Sequence, residues 1–246
     1  MKISQLYKYP IKSLTPLKSE SLVLNSNGYI DGDRLFGFRF QNAGARDNYE
    51  WQRKTSFAAL MHMPQIARLK VDFDETSRNL IIKNTDEIIV DANIDLERTI
   101  IEEKFTDFVL QSDKDLIKKF PERFPFMLIG GESHAHFHDG AQGGVTLHSQ
   151  ESLDELNNQL GYQVEHARFR SNIIIQGVKP WEEFDWIGKK INVGGCILEV
   201  FKKTQRCAAT NVNPQNGLRD INIPNEINAH YGHIDLGIYT KVIKSG

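Results

Sequence analysis

The sequence predicts a strand-dominated α+β fold, a barrel or sandwich with a few peripheral helices. Three observations carry that reading. Residues 1–95 break into short apolar or alternating runs separated by turn residues, the pattern of a barrel or sandwich. After Asp95 the apolar spacing lengthens to a helical period in two places. Beyond residue 172 the short strand-like runs return.

Taken in order, residues 3–9 form a first strand stopped by Pro10. Residues 21–24 make a second, running into Asn25-Ser26-Asn27-Gly28, where residues tolerant of left-handed backbone concentrate. Residues 35–40 follow and break at Asn42-Ala43-Gly44. Residues 67–73 alternate apolar with polar, which buries one face and exposes the other. Residues 79–83 and 87–90 add two more short strands. Over residues 96–110, Leu96, Ile100, Ile101, Phe105, Phe108 and Val109 recur at helical spacing. A second helix starts after Ser149-Gln150-Glu151-Ser152, carries the stripe Leu153, Leu156, Leu160 and stops at Gly161. Strands are expected again at residues 172–176, 190–193, 196–201 and 237–243. The change of character divides the chain into residues 1–95 and 96–246, with the boundary somewhere in 95–120.

Composition narrows the function classes. The formal charge of -2 over 246 residues gives no support for binding nucleic acid or an anionic membrane through bulk charge. Any basic site must be a local pocket. No apolar stretch approaches the roughly 20 residues needed to span a bilayer, and the start has no apolar signal core. A soluble cytoplasmic protein without nucleic-acid or membrane partners is the expectation. Cys196 and Cys207 are too few for a disulfide framework. Cys196 sits in an alternating apolar run and reads as a buried strand residue.

Cys207 is different. It follows Arg206 and leads through Thr210 into the polar turn Asn213-Pro214-Gln215-Asn216-Gly217. A positive neighbour favours the thiolate, the form that acts as nucleophile or metal ligand. From the residues alone, a small buried side chain at a strand end and a reactive or ligating thiol stand level. Tyr9-Pro10-Ile11-Lys12-Ser13 offers an ammonium, a hydroxyl and loop N–H groups, a set suited to phosphate, though a solvated lysine in a turn has the same sequence. Two arginine segments, Asp31-Gly32-Asp33-Arg34 and Ala167-Arg168-Phe169-Arg170-Ser171-Asn172, decide nothing singly. Strand alternation would put Arg168, Arg170 and Asn172 on one face. With Lys12 and Arg206 they could build one basic pocket. The cluster His134, His136, His138 would present three imidazoles together if extended, an arrangement able to hold zinc. Its glycine flanks favour an ordinary loop.

Tyr-Pro-Ile-Lys-Ser at 9–13, Asp-Arg-Leu-Phe at 33–36, Phe-Arg-Ser-Asn-Ile at 169–173 and Arg-Cys-Ala-Ala-Thr-Asn-Val-Asn-Pro at 206–214 occur in an order that resembles the MOSC superfamily. The narrower resemblance, over about residues 1–240, is to the branch that includes the mitochondrial amidoxime-reducing component and its bacterial relatives. It implies a MOSC β-barrel core preceded by an N-terminal β-barrel-like domain. It also implies a molybdenum cofactor, a phosphate-bearing pterin dithiolene, with Cys207 as the metal's protein ligand and catalytic centre. Cofactor contacts implied by the motifs are Lys12, Ser13, Arg34, Arg170, Asn172, Arg206 and Thr210. Ser149 joins them as a hydroxyl at a helix start, where free N–H groups suit phosphate. The family's frequent Asp-Pro pair stands here as Asn213-Pro214, so Asn213 can hydrogen-bond a substrate but cannot serve as a carboxylate base. Ala208 and Ala209 replace bulkier apolar residues. Two cysteines cannot hold a four-cysteine iron–sulfur cluster, so electrons are expected from a separate flavoprotein reductase or ferredoxin-like donor.

The resemblance therefore implies an oxidoreductase that reduces small N-hydroxylated compounds: hydroxylamines, N-hydroxylated base analogues or amidoximes. Alternatives from other classes remain open: a non-catalytic carrier of the cofactor or of sulfur that uses Cys207, a flavin-binding barrel, and a zinc hydrolase built on the histidine cluster.

Overall fold

The computed structural model describes residues 1–132 and 136–246. In chain order it begins with β1 (Lys2–Lys8), β2 (Leu17–Ser19) and β3 (Phe36–Arg39), then the meander β4 (Leu69–Asp74), β5 (Asn79–Asn84) and β6 (Glu87–Asn93). Helices α1 (Arg98–Ser112) and α2 (Leu116–Lys119) lead to β7 (Met127–Gly130) and β8 (Val145–Ser149). The rest is α3 (Gln150–Leu160), β9 (Ile173–Gln176), β10 (Lys190–Val193), β11 (Cys196–Gln205), α4 (Ile223–Tyr231) and β12 (Asp235–Lys244).

The dominant layer is a seven-stranded sheet, ordered β10-β11-β12-β8-β9-β1-β2, that curls as a half-barrel. Its only parallel pair, among the described residues, is β8 with β9, in register Leu147↔Ile173. Parallel neighbours need a crossover, and α3 supplies it. Ser149 caps this helix by accepting from Ser152 N–H at 3.1 Å, and Gly161 ends it in the left-handed conformation at φ 72°. Elsewhere β3 pairs with β7, while β4, β5 and β6 form a separate antiparallel sheet. The chain is thus a strand-dominated α+β protein with four α-helices among the described residues. The first 19 residues complete the sheet of the C-terminal half, because β1 pairs with β9 and β2 with β1.

Several elements depart from the sequence reading. Residues 21–24 are not a strand: only Leu24 bridges, to Ile30, because the Asn25 side chain accepts from the N–H groups of Asn27 and Tyr29 and closes a tight turn. Residues 166–168 form a 3-10 turn and Arg170 has φ 54°, so Arg168, Arg170 and Asn172 do not share a strand face. β7 and β8 lack alternation because every residue in them is buried. A strand covered on both faces has no polar side to display.

The largest core packs α1 against the β4–β6 meander and the β3–β7 ribbon. Phe38 and Phe105 stack there in parallel, with centroids 3.6 Å apart, and Phe126 meets Phe105 edge-on. A second core fills the half-barrel around Leu147, Ile175, Leu198 and Ile238. A third lies between α3 and α4.

One buried polar chain runs through this framework. His148 on β8, fully buried, contacts Ser171 Oγ through Nδ1 at 2.8 Å and His166 Nδ1 through Nε2 at 2.9 Å. His166 Nε2 meets Gln150 Oε1 at 2.8 Å, and the Gln150 amide nitrogen donates to Asp154. That last bond orients the Gln150 amide, so the whole chain has one polarity: Ser171 O–H to His148, His148 N–H to His166, His166 N–H to Gln150. Both imidazoles are neutral. Burial holds His148 well below the usual 6.5, with neighbouring His166 and Arg206 adding to it, and burial also lowers His166.

Two consequences are measurable. Phe105→Ala removes the ring on which Phe38 and Phe126 pack and is expected to cost about 3–5 kcal/mol in urea denaturation. A histidine whose pKa is depressed by folding takes up its proton first in the unfolded state, so stability is lost as pH falls below about 6.5. The decline approaches about 1.4 kcal/mol per pH unit for each such group. Urea midpoints compared between pH 7.5 and 5.5 should fall for the wild type and fall less for His148→Gln; equal slopes would remove His148 from the account.

Candidate functional site

The principal cleft encloses about 850 Å³, its open mouth included, where the 9–13 and 33–34 loops face the end of β11. β11 delivers Thr204, Arg206 follows one residue past its end, and the chain then turns at Cys207 into the short helical turn Ala208–Asn211. Cys207 is half-buried on the cleft wall. Lys12, Ser13 and Arg34 line the same cleft, as do Arg170, Tyr239 and His138.

Three lining residues hold left-handed backbone although none is glycine: Ser13 at φ 69°, Arg34 at φ 51° and Arg170 at φ 54°. Each such residue costs on the order of 1 kcal/mol, and strain of this kind concentrates at functional sites. What holds them is a buried network. Asp33 accepts from Tyr9 N–H at 2.8 Å, pairs with the Arg34 guanidinium and receives the Asn172 amide at 3.1 Å. The Asn172 oxygen accepts from Thr146 Oγ1 at 2.9 Å, and its nitrogen donates also to Tyr7 O at 3.2 Å. Both guanidinium groups, of Arg34 and Arg170, lie 4.4 Å from the centroid of the Tyr9 ring. Burial pushes the Tyr9 hydroxyl up to about 12, against the pull of the two arginines, so it stays protonated.

The electrostatics of the cleft are unbalanced toward positive charge. Lys12 donates to Phe137 O at 2.9 Å and pairs with Asp139 at 2.5 Å. Burial lowers the Lys12 ammonium against the pull of Asp139. Desolvation on the cleft wall raises Asp139, and Lys12 more than reverses it, leaving the carboxyl well below its usual range. For Arg34, burial alone would lower the pKa, but Asp33 holds it above the usual value. Arg168 is bidentate to Asp220, both contacts at 2.8 Å. Arg170 and Arg206 have no carboxylate among the described residues. Arg170 donates to Leu14 O at 2.7 Å; Arg206 donates to Phe169 O at 2.7 Å and to Leu236 O. Burial pushes both down to about 10, which leaves them cationic at neutral pH. An anion placed here would offset that penalty.

Two buried polar atoms on the lining also lack hydrogen-bond partners: Thr204 Oγ1 and His138 Nε2. Buried polar atoms without partners cost about 1–3 kcal/mol each and so point to a ligand that supplies the bond. A phosphate-bearing pterin with a metal at its thiolates fits the donor set. Arg170, Arg206 and Lys12 suit the anion, Thr204 and His138 the polar ring edge, and the thiol of Cys207 the metal.

Of the residues singled out by sequence, Lys12, Ser13, Arg34, Arg170, Arg206, Cys207 and Thr210 line this cleft together. Thr210 spends its hydroxyl on Cys207 O at 2.9 Å, so it shapes the ligand loop. Asn172 lies behind the lining, fully buried in the network above. Ser149 is not brought to the cleft; it caps α3 and donates to Glu183 at 3.0 Å. Asn213 also lies outside the lining, its side chain divided between Asp220 at 2.7 Å and Gln215 N–H at 2.8 Å. Cys196 is buried, as its strand position implied. His134 falls outside the described residues. His136 and His138 stand with ring centroids 6.0 Å apart, and no group of three metal-ligating side chains occurs among the described residues. Thr204, Tyr239 and Lys54 were missed. Thr204 was legible, since it is two residues from Arg206 and strand alternation puts both on one face. Tyr239 and Lys54 are brought in by tertiary packing alone.

No helix among the described residues is long and apolar enough to cross a membrane. Residues 134–246 match the MOSC domain family model. The chain is 33% identical over 78 residues to mitochondrial amidoxime-reducing component 1 of Mus musculus, covering 32% of this chain and 22% of that one. It is 32% identical over 82 residues to mitochondrial amidoxime reducing component 2 of Rattus norvegicus, covering 33% and 24%. Against the molybdenum cofactor sulfurase of Oryza sativa subsp. japonica it is 29% identical over 85 residues, 31% of this chain and 10% of that one. The matched stretches thus span less than a quarter of these relatives' lengths. Among solved structures, YiiM from Geobacillus stearothermophilus aligns at TM-score 0.32 and 20% identity over 42% of this chain and 48% of that one, too distant to carry an argument. The matched family model thus marks a MOSC domain in residues 134–246 of a strand-dominated chain.

Proposed function

We propose that this protein is a molybdenum-cofactor-dependent reductase of N-hydroxylated compounds, converting an N–OH group and two electrons and two protons to N–H and water. The observation that carries the reading is the half-buried Cys207 on a cleft with two buried arginines that form no ion pair among the described residues. The likeness to amidoxime-reducing components supports the reaction class. When bound, the cofactor would supply the two-electron chemistry, and the protein orientation and charge. Arg170, Arg206 and Lys12 would hold its phosphate, with Ser13 and Arg34 beside them. Thr204 would bond the pterin edge. Cys207 would hold the metal from the turn after β11, its loop braced by the Thr210 bond to Cys207 O. Tyr239, raised by burial, keeps its proton at neutral pH and can orient a substrate oxygen or nitrogen at the mouth. Residues 1–246 carry two cysteines, too few for a four-cysteine cluster, and we assign electron supply to a flavoprotein or ferredoxin-like donor.

A second reading has one observation in its favour, the likeness to a molybdenum cofactor sulfurase: Cys207 would carry sulfur or retain the cofactor for another enzyme. Turnover of an N-hydroxy substrate with a chemical reductant separates the two. The test is Cys207→Ala, produced in a host that makes the cofactor. Reductase activity is expected to fall by at least about 100-fold, the scale of losing a metal's protein ligand or its surroundings, and molybdenum per protein to fall with it. Full metal content together with full activity in the variant would overturn the assignment. Arg170→Met should lower pterin content while Cys207 stays intact; unchanged pterin content would remove Arg170 from the cofactor site.

A further inference from the structure

One side of the cleft mouth carries a basic rim. Lys54 opens the short helical turn Lys54–Ser56 and lines the cleft, as do Leu60 and Met61 a few residues on. Arg219 donates to Met61 O at 2.8 Å, which fixes an exposed guanidinium beside that wall. Arg123 is shelved on two rings, 4.0 Å from the Phe120 centroid and 4.9 Å from that of Phe40. Phe40 N–H donates to Ser56 O at 3.0 Å, which ties this shelf to the Lys54 turn. His62 lies among the three cations. Partial burial lowers its imidazole, and Arg123, Lys54 and Arg219 push it further down.

Acids do not match these cations. Lys54 and Arg219 form no ion pair among the described residues, and Arg123 has only a loose contact with Glu122 at 3.9 Å. Asp139 is the one carboxylate on the cleft lining among the described residues, and Lys12 holds it at 2.5 Å. In a chain of formal charge -2, a collection of this kind is local and does not reflect composition. Arg219 also stands at the base of the loop that leaves the Cys207 turn. It bridges to Val212, and Asn213 N–H donates to Leu218 O at 2.7 Å. Leu218, next to it, is 62% exposed. An exposed apolar residue beside unpaired cations has the make-up of a contact surface.

Charge and place select the occupant. Fixed cations around a mouth attract an acidic surface and speed its encounter. Electrons for the proposed reaction enter where a donor's redox centre comes close to the cleft, and the mouth is that place. The rim is compact and suits the small interface of a transient redox encounter, below about 1,200 Å². A multidomain flavoprotein, its flavin set in a cleft of its own, needs a larger contact. We propose that this rim docks a small acidic iron–sulfur protein of ferredoxin type, its carboxylates on Lys54, Arg123 and Arg219 and its cluster turned to the mouth. Each reduced ferredoxin gives one electron and leaves oxidised, so two dock in turn for each N–OH reduced, and solvent supplies the two protons. Electron delivery rests on the proposed reductase activity. The docking of an acidic protein does not.

The test titrates the purified protein with an oxidised, plant-type two-iron ferredoxin by calorimetry. Benzamidoxime reduction by the cofactor-loaded protein is then measured with that ferredoxin, kept reduced by NADPH and its reductase, or with dithionite. Arg219 is exposed and outside the cleft lining, so Arg219→Glu reverses a charge without entering the cofactor space. Binding is expected to weaken about tenfold in Arg219→Glu and to be largely kept in Arg219→Lys. It should also weaken about tenfold between about 0.05 M and about 0.5 M salt. In turnover, Arg219→Glu should raise KM for ferredoxin by a similar factor and leave the dithionite-driven rate within about twofold. Ferredoxin binding that is absent, equal in wild type and Arg219→Glu, or indifferent to salt overturns the docking surface whatever the reductase assay gives. Charge-dependent binding with dithionite-driven but no ferredoxin-driven turnover overturns the rim as the entry for electrons. Charge-dependent binding with no turnover from either source overturns the reductase reading and leaves the docking surface standing.

Discussion

The arrangement of the site depends on Asn172. Its amide spans Thr146 on β8, Tyr7 on β1 and the Asp33–Arg34 loop, and both ends of the group are used. No apolar residue could bridge those three segments, because each presents a buried polar group that needs a partner. Asp33 in turn joins the β1 end to Arg34 through the Tyr9 N–H. Arg34 is therefore aimed by a neutral amide and one carboxylate lying behind it. This gives the motif residues two distinct parts: some meet the ligand space, and others fix the direction from which they meet it.

The same division explains the charge. A chain with a formal charge of -2 still builds a positive cleft, because its buried carboxylate neutralises Arg34 alone while Arg170 and Arg206 rest on carbonyl oxygens. Carbonyl dipoles orient a guanidinium without cancelling it. The left-handed backbone at Ser13, Arg34 and Arg170 belongs to the same design, since it turns each side chain inward from a loop.

Much of this was legible in the sequence, and what was not has physical reasons. Alternation located β4, short strand-like runs located β5 and β10, and the Ser149 cap with the Gly161 stop delimited α3. Alternation failed at β7 and β8, where both faces are covered. Helix α4 was readable and overlooked: Asn222 caps it, Pro224 sits in its first turn and Gly232 ends it. The ordered motifs brought seven residues to one cleft, yet motif membership could not distinguish Arg170, which faces the space, from Asn172, which lies behind it. Ser149 and Asn213 carry the right functional groups but spend them on a helix cap and a turn.

The pairing of β1 with β9, Lys2 opposite Gln176, has a bearing on how the chain is made. β1 meets β2 close by in the sequence, but its other edge has no neighbour until β9 has followed, and the β12 edge against which β8 settles comes later still. Contacts this distant along the chain close slowly. During that interval β1 exposes unpaired backbone, a template for pairing with other chains. Its composition answers the hazard: Lys2 and Lys8 bracket the strand, and charge at a strand's ends discourages another edge from adding to it. The strand that leads into the Lys12–Ser13 wall of the cleft is thus also one whose open edge must be kept soluble while it waits.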